Sequence, residues 1–371
     1  MKKALGFAVA LGLVAGMASS AVASDILDFH GEARVRGLYS DVDGTASDAI
    51  RNYDQRYRFI INAKLADNVM VGSRITLLND EFAGAMSTTN NNVDRAYIQL
   101  GILGGTWILG RQEVSWGNKL MSWGNTADRI KAVYDLGGGQ KVGAFLQKDV
   151  ESKNPGGDLD KDSYSAFYVG SAGDFKFGVI GVDIMNDSTP ADDDGIVIDA
   201  YVNGTAGGMM VAAEVNMKMG DAYGTDDDLG FFAMAGMGLG DGMSVGAAAA
   251  YAANGYKADD DFTPTLLFGK SQVTAISDFG DTQTTGDDTV MAVLGQLGIK
   301  LSDKMSAKVL GAYAILSDKA ETTLIEVDGS LEYALAQNTV YKFGVAIGMP
   351  DKYSADDEML ISAGHSVEVK W

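Results

Sequence analysis

The 371-residue chain has no cysteine, four prolines and only two histidines, His30 and His365. Without cysteine there is neither a thiol nucleophile nor a disulfide framework, so packing, backbone pairing, ions or lipid must hold the chain. Two histidines at opposite ends of the sequence give poor support to a histidine-rich metal site or a Ser-His-Asp triad. Ser and Asp are plentiful, yet no nucleophile–base arrangement emerges. A membrane-embedded hydrolase is therefore the least favoured reading, and the chain reads as a non-enzyme. Positive charge is also scarce: 29 Lys and Arg stand against 50 Asp and Glu, a net charge of -21. That balance argues against nonspecific nucleic-acid binding, which relies on basic surface.

The first residues predict export. Lys2 and Lys3 precede an apolar run over 4–17, and small residues lead to Ala21-Val22-Ala23. This is the pattern of a cleavable signal peptide, residues 1–23, with Ser24 as the first mature residue. The apolar run is short of the roughly 20 residues that a spanning helix needs. Residues 24–371 then form a single domain.

Beyond the leader there is no long apolar helix. Apolar residues instead alternate with polar or small ones, in segments of about ten residues, as in a membrane β-barrel. Tyr53, Tyr57, Phe59, Ile61, Ala63 and Leu65 share one parity, while Asp54, Arg56, Arg58, Asn62 and Lys64 occupy the other. Ile325, Val327, Leu331, Tyr333 and Leu335 likewise alternate with Glu326, Asp328, Ser330 and Glu332. The alanines at 247–250, 252 and 253 leave the faces of their segment indistinct.

Tight connections rich in Gly, Asn and Asp, such as Ala66-Asp67-Asn68, Gly104-Gly105 and Gly137-Gly138-Gly139, alternate with longer polar ones. This short-long rhythm predicts an all-β, antiparallel transmembrane barrel with short periplasmic turns and longer extracellular loops. The count is eighteen strands, with sixteen the alternative if central segments merge. Pro155, Pro190, Pro264 and Pro350 all fall in connections assigned to the outer side, away from the predicted strands. Acidic runs at 192–194, 226–228 and 259–261 read as solvated loops. They are candidate Ca²⁺ or Mg²⁺ binders only in donor type, because no coordination spacing marks them, and no cofactor is required.

Arginine is distributed unevenly: all nine lie between Arg34 and Arg129. Arg34 with Arg36, and Arg56 with Arg58, share strand faces; Arg74 and Arg95 continue the wall. Guanidinium groups are costly facing lipid at the bilayer midplane and tolerated in a wet lumen. Glu326, Asp328 and Glu332 are expected on the lumenal side as well. The wall reads either as a charge filter or as a salt-bridge network that stiffens it. Between two predicted strands lies a repeat, Ser115-Trp116-Gly117-Asn118 and Ser122-Trp123-Gly124-Asn125.

From the Asp28-Phe29-His30-Gly31-Glu32 opening to Trp371, the chain resembles a Gram-negative outer-membrane porin of the general diffusion type, its subtype unresolved. The resemblance implies a multi-pass barrel in the cell outer membrane, in contact with lipid and lipopolysaccharide. It implies that Trp371, a terminal aromatic where Phe is more usual, addresses the barrel assembly machinery. It also implies that the third outer loop folds inward, making Trp116, Asn118, Trp123 and Asn125 constriction or sugar-contact candidates. The expected function is passive diffusion of ions and small hydrophilic solutes. A substrate-specific uptake channel and a plugged structural or adhesive barrel, using the connection at 255–287, are the alternatives. Homotrimers are common in that family, and a monomer is also compatible with eighteen strands.

Overall fold

The computed structural model describes residues 26–41, 50–81, 92–150, 160–186, 194–220, 227–254, 256–259, 261–265, 289–317, 322–351 and 359–371. The expected leader, together with Pro155 and Pro190, lies outside them. Eighteen strands follow one another. The first six are β1 (Leu27–Asp41), β2 (Ile50–Ala66), β3 (Val69–Glu81), β4 (Asn92–Ile102), β5 (Gly105–Trp116) and β6 (Ser122–Gly137). The next six are β7 (Gln140–Val150), β8 (Lys161–Ala172), β9 (Phe175–Asn186), β10 (Gly195–Ala206), β11 (Met209–Met219) and β12 (Asp228–Gly240). The last are β13 (Met243–Ala253), β14 (Thr289–Ser302), β15 (Met305–Ser317), β16 (Thr322–Ala336), β17 (Thr339–Asp351) and β18 (Leu360–Lys370).

Each strand pairs antiparallel with its predecessor, and β18 pairs with β1 to close the sheet. Closure matters because an open edge in lipid would leave backbone donors and acceptors without partners. Trp371 extends the seam past β18: Gly31 N donates to Trp371 O at 2.9 Å and Trp371 N to Gly31 O at 3.1 Å. Tight turns need backbone that few residues adopt. Leu103 and Gly104 both have positive φ, 53° and 73°, as the two-residue hairpin between β4 and β5 requires.

The dyad pattern sorts the two faces. Ile325 and Val327 point outward and stay exposed, while Glu326 and Asp328 between them are buried on the inner side. The same holds for Ile198, Val215 and Met217 against Asp199, Glu214 and Asn216. Large apolar side chains left open on a closed barrel mark a face meant for acyl chains. This belt has a charged upper edge. Arg111, Asp128, Lys148 and Asp162 face one another in register across β5 to β8, with contacts of 3.3 Å (Arg111–Asp128) and 2.9 Å (Lys148–Asp162). Three of them stand about nine residues from the tight turns, roughly 23 Å at a tilt of ~40°, which matches the height of an apolar band.

The lumen is not polar all round. On β12 to β18 part of the inner face is apolar: Phe232, Ala250, Ala252, Val290, Ala292 and Leu324 are buried in one cluster. Residues 256–259 and 261–265, between β13 and β14, cover it from inside with Tyr256, Ala258 and Phe262. Phe262 meets Phe232 edge to face, centroids 5.1 Å apart. Burying one such ring contributes about 1.5–3 kcal/mol. The alanine-rich stretch of β13 is thereby explained: one face meets lipid and the other meets this segment.

Two boundary expectations are corrected. The second half of the Ser-Trp-Gly-Asn repeat is strand, not loop, because Ser122 already pairs with Trp116 and Asn125 with Val114. Positive φ at Gly117 (60°) and Lys119 (84°) closes the reversal within five residues. Pro350 lies inside β17, opposite Leu324, rather than in the connection. It is the penultimate residue at the outer end, where a missing donor costs least.

Candidate functional site

The arginine wall is built by register. On β1 and β2, Arg34 stands directly opposite Arg56, an unfavourable pair by itself. Carboxylates bracket it: Asp54 lies opposite Arg36, and Glu32 opposite Arg58. Asp54 binds Arg36 at 2.6 Å and Arg34 at 3.4 Å, while Glu32 takes Arg56 and Arg58, each at 3.1 Å. A shift in register after Arg74 makes Asp94 the extra residue of β4. Such a bulge re-aims a side chain, so Asp94 reaches Arg74 at 2.8 Å although Arg95 next to it also faces inward. Arg95 pairs with Glu113. Among the described residues, six inward arginines contact four carboxylates, and Glu368 of β18, opposite Arg34 in register, faces the same wall while pairing with Lys342 at 3.3 Å.

Further round, β6 presents Arg129 and Lys131. Arg129 donates to Gln147 and stacks over the Phe145 ring at 4.0 Å. Neither cation has a carboxylate in contact among the described residues.

The connection after β5 runs to the inner face of β10 and β11. Trp116 Nε1 donates to Asp199 Oδ1 at 2.6 Å. The Glu214 carboxylate accepts the backbone N–H groups of Asn118 and Met121, the latter at 3.0 Å. Asn118 adds a side-chain bond to Ala213 O at 2.9 Å and accepts from Asn203 at 3.0 Å. Gly117 sits over the Glu214 carboxylate, where any Cβ would collide with it. Leu120, at the tip, is fully buried.

The segment after β13 meets that tip. Tyr256 Oη donates to Leu120 O at 3.1 Å, and Asp259 N donates to the same oxygen at 3.1 Å. Asn125 Nδ2 reaches Asp259 Oδ2 at 2.6 Å. The Tyr256 ring rests on Gly230 of β12, where a side chain would occupy the ring's place. At the far end, Thr265 Oγ1 donates to Glu326 Oε2 at 2.7 Å. The described parts of the two connections thus meet on the inner side of β10 to β12.

The sequence-selected residues separate accordingly. Arg34, Arg36, Arg56, Arg58, Arg74 and Arg95 lie together on one inner wall. Glu326 and Asp328 are buried across the lumen, and Glu326 is taken by Thr265. Glu332, Asp328, Lys308 and Lys342 border a cavity of about 280 Å³. Trp116 and Asn118 contact the β10–β11 wall, Asn125 contacts the β13–β14 segment, and the Trp123 side chain lies outside the described residues. Trp371 covers Gly31 on the outer face and meets Phe59 edge to face at 5.7 Å. Among the described residues no group of three acidic or histidine side chains is arranged to hold a metal. The anchors Asp199, Glu214, Leu120 and Tyr256 were not selected from sequence. The only local signals for them are Gly117 and Gly230, whose missing side chains make room.

No family model matches this chain, and no curated protein matches it. Solved structures do share its fold. OpdO of Pseudomonas aeruginosa aligns over 94% of this chain and 98% of its own, with a TM-score of 0.66 at 11% identity. OccK2 (OpdF) of that organism aligns over 93% and 97%, with a TM-score of 0.63 at 10% identity. OpdK, from the same organism, aligns over 93% and 98%, with a TM-score of 0.60 at 12% identity. At these identities the likeness concerns the fold, and the chain has the 18-stranded antiparallel barrel of Gram-negative outer-membrane porins.

Proposed function

We propose that this chain is a passive outer-membrane channel for small hydrophilic solutes, leaning toward anions. The observation that carries the reading is the lumenal wall of β1 to β6. Among the described residues its six inward arginines contact four carboxylates, and Arg129 and Lys131 follow outside any ion pair. The described parts of the two connections pack against the inner side of β10 to β16, away from this wall, which favours a solute path beside the cationic side. There the field of charges facing a narrow wet path acts most strongly. The net charge of the whole chain does not oppose this, because many aspartates lie in the long connections. Passage needs no catalytic cycle and no cofactor.

The paired arginines also stiffen the wall, and the two roles coexist. Fully matched pairs would carry no net field; Arg129 and Lys131, outside any ion pair among the described residues, support a positive one. The test is conductance in planar bilayers of purified protein whose folding is verified by heat-modifiable migration. Discrete conductance steps are expected. Folded protein without them overturns the reading in favour of a plugged structural barrel.

A further inference from the structure

We propose that Gln147 determines ion specificity: its neutral amide keeps Arg129 out of an ion pair with Asp149 and leaves that guanidinium open to passing anions. This rests on the channel reading above and assigns part of its selectivity to one uncharged side chain.

Register brings the group together. Gln147 of β7 stands directly opposite Arg129 of β6 on one side and Ser163 of β8 on the other. The β7–β8 register shifts between Lys148 and Val150, so Asp149 is an extra residue of β7. The wall thus repeats the device seen at Asp94, a bulge that re-aims an aspartate near an arginine. At Arg74 the two charges meet directly, at 2.8 Å. At Arg129 they do not. Arg129 Nε donates to Gln147 Oε1, and Gln147 Nε2 donates to Asp149 Oδ1. Ser163 Oγ donates to the second oxygen, Asp149 Oδ2, at 2.6 Å.

An amide suits this position. One end accepts and the other donates, so it satisfies cation and carboxylate together without adding charge. Two hydrogen bonds and the amide separate the charges by roughly 6–7 Å, against about 2.8 Å in a direct pair. Their attraction falls in proportion. Phe145 holds the guanidinium from another side, 4.0 Å from its ring centroid, and is itself buried among Ile180, Val182 and Ile184. Arg129 borders two chambers, one of about 600 Å³ that Asn125 and Lys161 also line, and one of about 260 Å³ beside Lys131 and Tyr201. Its terminal nitrogens have no carboxylate partner among the described residues, so they can give charge-assisted bonds to an anion. A direct pair with Asp149 would occupy those same donors.

The test exchanges the two side chains, Gln147→Glu with Asp149→Asn, in the full-length protein. Total charge is unchanged. The amide at position 149 still accepts from Ser163, but the carboxylate at position 147 now touches Arg129. Reversal potential across a salt gradient is expected to shift toward cations, in the direction of Arg129→Gln and comparable to it in size. Gln147→Met removes the spacer without adding charge; it should shift the same way and lose that effect once Asp149→Asn is added. Phenylglyoxal modification read by mass spectrometry should label Arg129 in wild type and more slowly in the exchange variant, independently of conduction. A folded exchange variant with the wild-type reversal potential overturns the proposal and leaves the channel reading intact. An equal effect of Gln147→Met with and without Asp149→Asn also overturns it, marking a merely structural residue. Folded protein that never conducts sinks the channel reading instead, while the labelling still decides whether Gln147 keeps Arg129 unpaired.

Discussion

The Tyr256 hydroxyl donates to the Leu120 carbonyl oxygen at 3.1 Å, tying the connection after β13 to the connection after β5. Both residues are fully buried although they stand on loops of a barrel whose interior was expected to be wet. Tyr256→Ala removes a buried aromatic, a loss of about 3–5 kcal/mol at that site, and should widen the path. Larger single-channel conductance and a larger size cutoff for polymer exclusion are expected. Tyr256→Phe removes only the hydrogen bond, about 1 kcal/mol, and should conduct nearly as wild type.

The same clasp has a pH signature. Burial, reinforced by the carboxylates of Asp199, Glu214, Asp259 and Asp228, raises the Tyr256 phenol well above its ordinary value of 10.0. The native state thus keeps a proton that the unfolded chain releases, so this contribution to stability persists through pH 10 and declines as pH rises further. Conductance that changes in wild type between neutral pH and pH 10, but not in Tyr256→Phe, would contradict this.

Gly230 offers a test that does not touch the loop. Filling its missing side chain displaces the Tyr256 ring, so Gly230→Val should reproduce the wide channel of Tyr256→Ala. Gly238→Ala, at a position with nothing within 4 Å of the added atom, should leave conductance unchanged. Equal behaviour of the two glycine variants would show that the ring is not seated on β12.

Glu214 anchors the other connection. Glu214→Ala leaves the N–H groups of Asn118 and Met121 without their acceptor, at about 1–3 kcal/mol. The expected readout is current noise from a loosened connection, with Glu214→Gln intermediate because its carbonyl still accepts. Quiet recordings from folded Glu214→Ala protein would show that Trp116 and Asn118 suffice.

Trp371 closes the seam through its backbone and covers Gly31 with its ring. Trp371→Ala should lower the folded fraction recovered in membranes, while Trp371→Phe retains it. Equal yields from both variants would remove the terminal ring from assembly.

Much of the architecture was legible in sequence, because lipid outside and polar groups inside impose a period of two on segments such as β2 and β16. Legibility failed wherever the inner face is not polar. Ala248, Ala250 and Ala252 look no different from their outward neighbours, since their partners are loop residues rather than water. The arginine cluster was visible, but its pairing was not. That pairing depends on register, on Glu32 lying opposite Arg58 and on the bulge that turns Asp94 inward. The repeat around Trp116 and Trp123 read as one loop because two tight positive-φ positions carry no strong marker beyond a single glycine. Glu214 was hidden for a simpler reason: its partner Asn118 is 96 residues away.

The central claim is that the lumenal arginine wall of β1 to β6 sets ion preference. Reversal potential across a salt gradient, measured for wild type and for Arg56→Ala combined with Arg58→Ala, tests it most directly. The double variant removes two cations and leaves Glu32 without both of its partners. The account predicts an anion-favouring wild type and a shift toward cations in the variant. An unchanged reversal potential in a folded, conducting variant would contradict it.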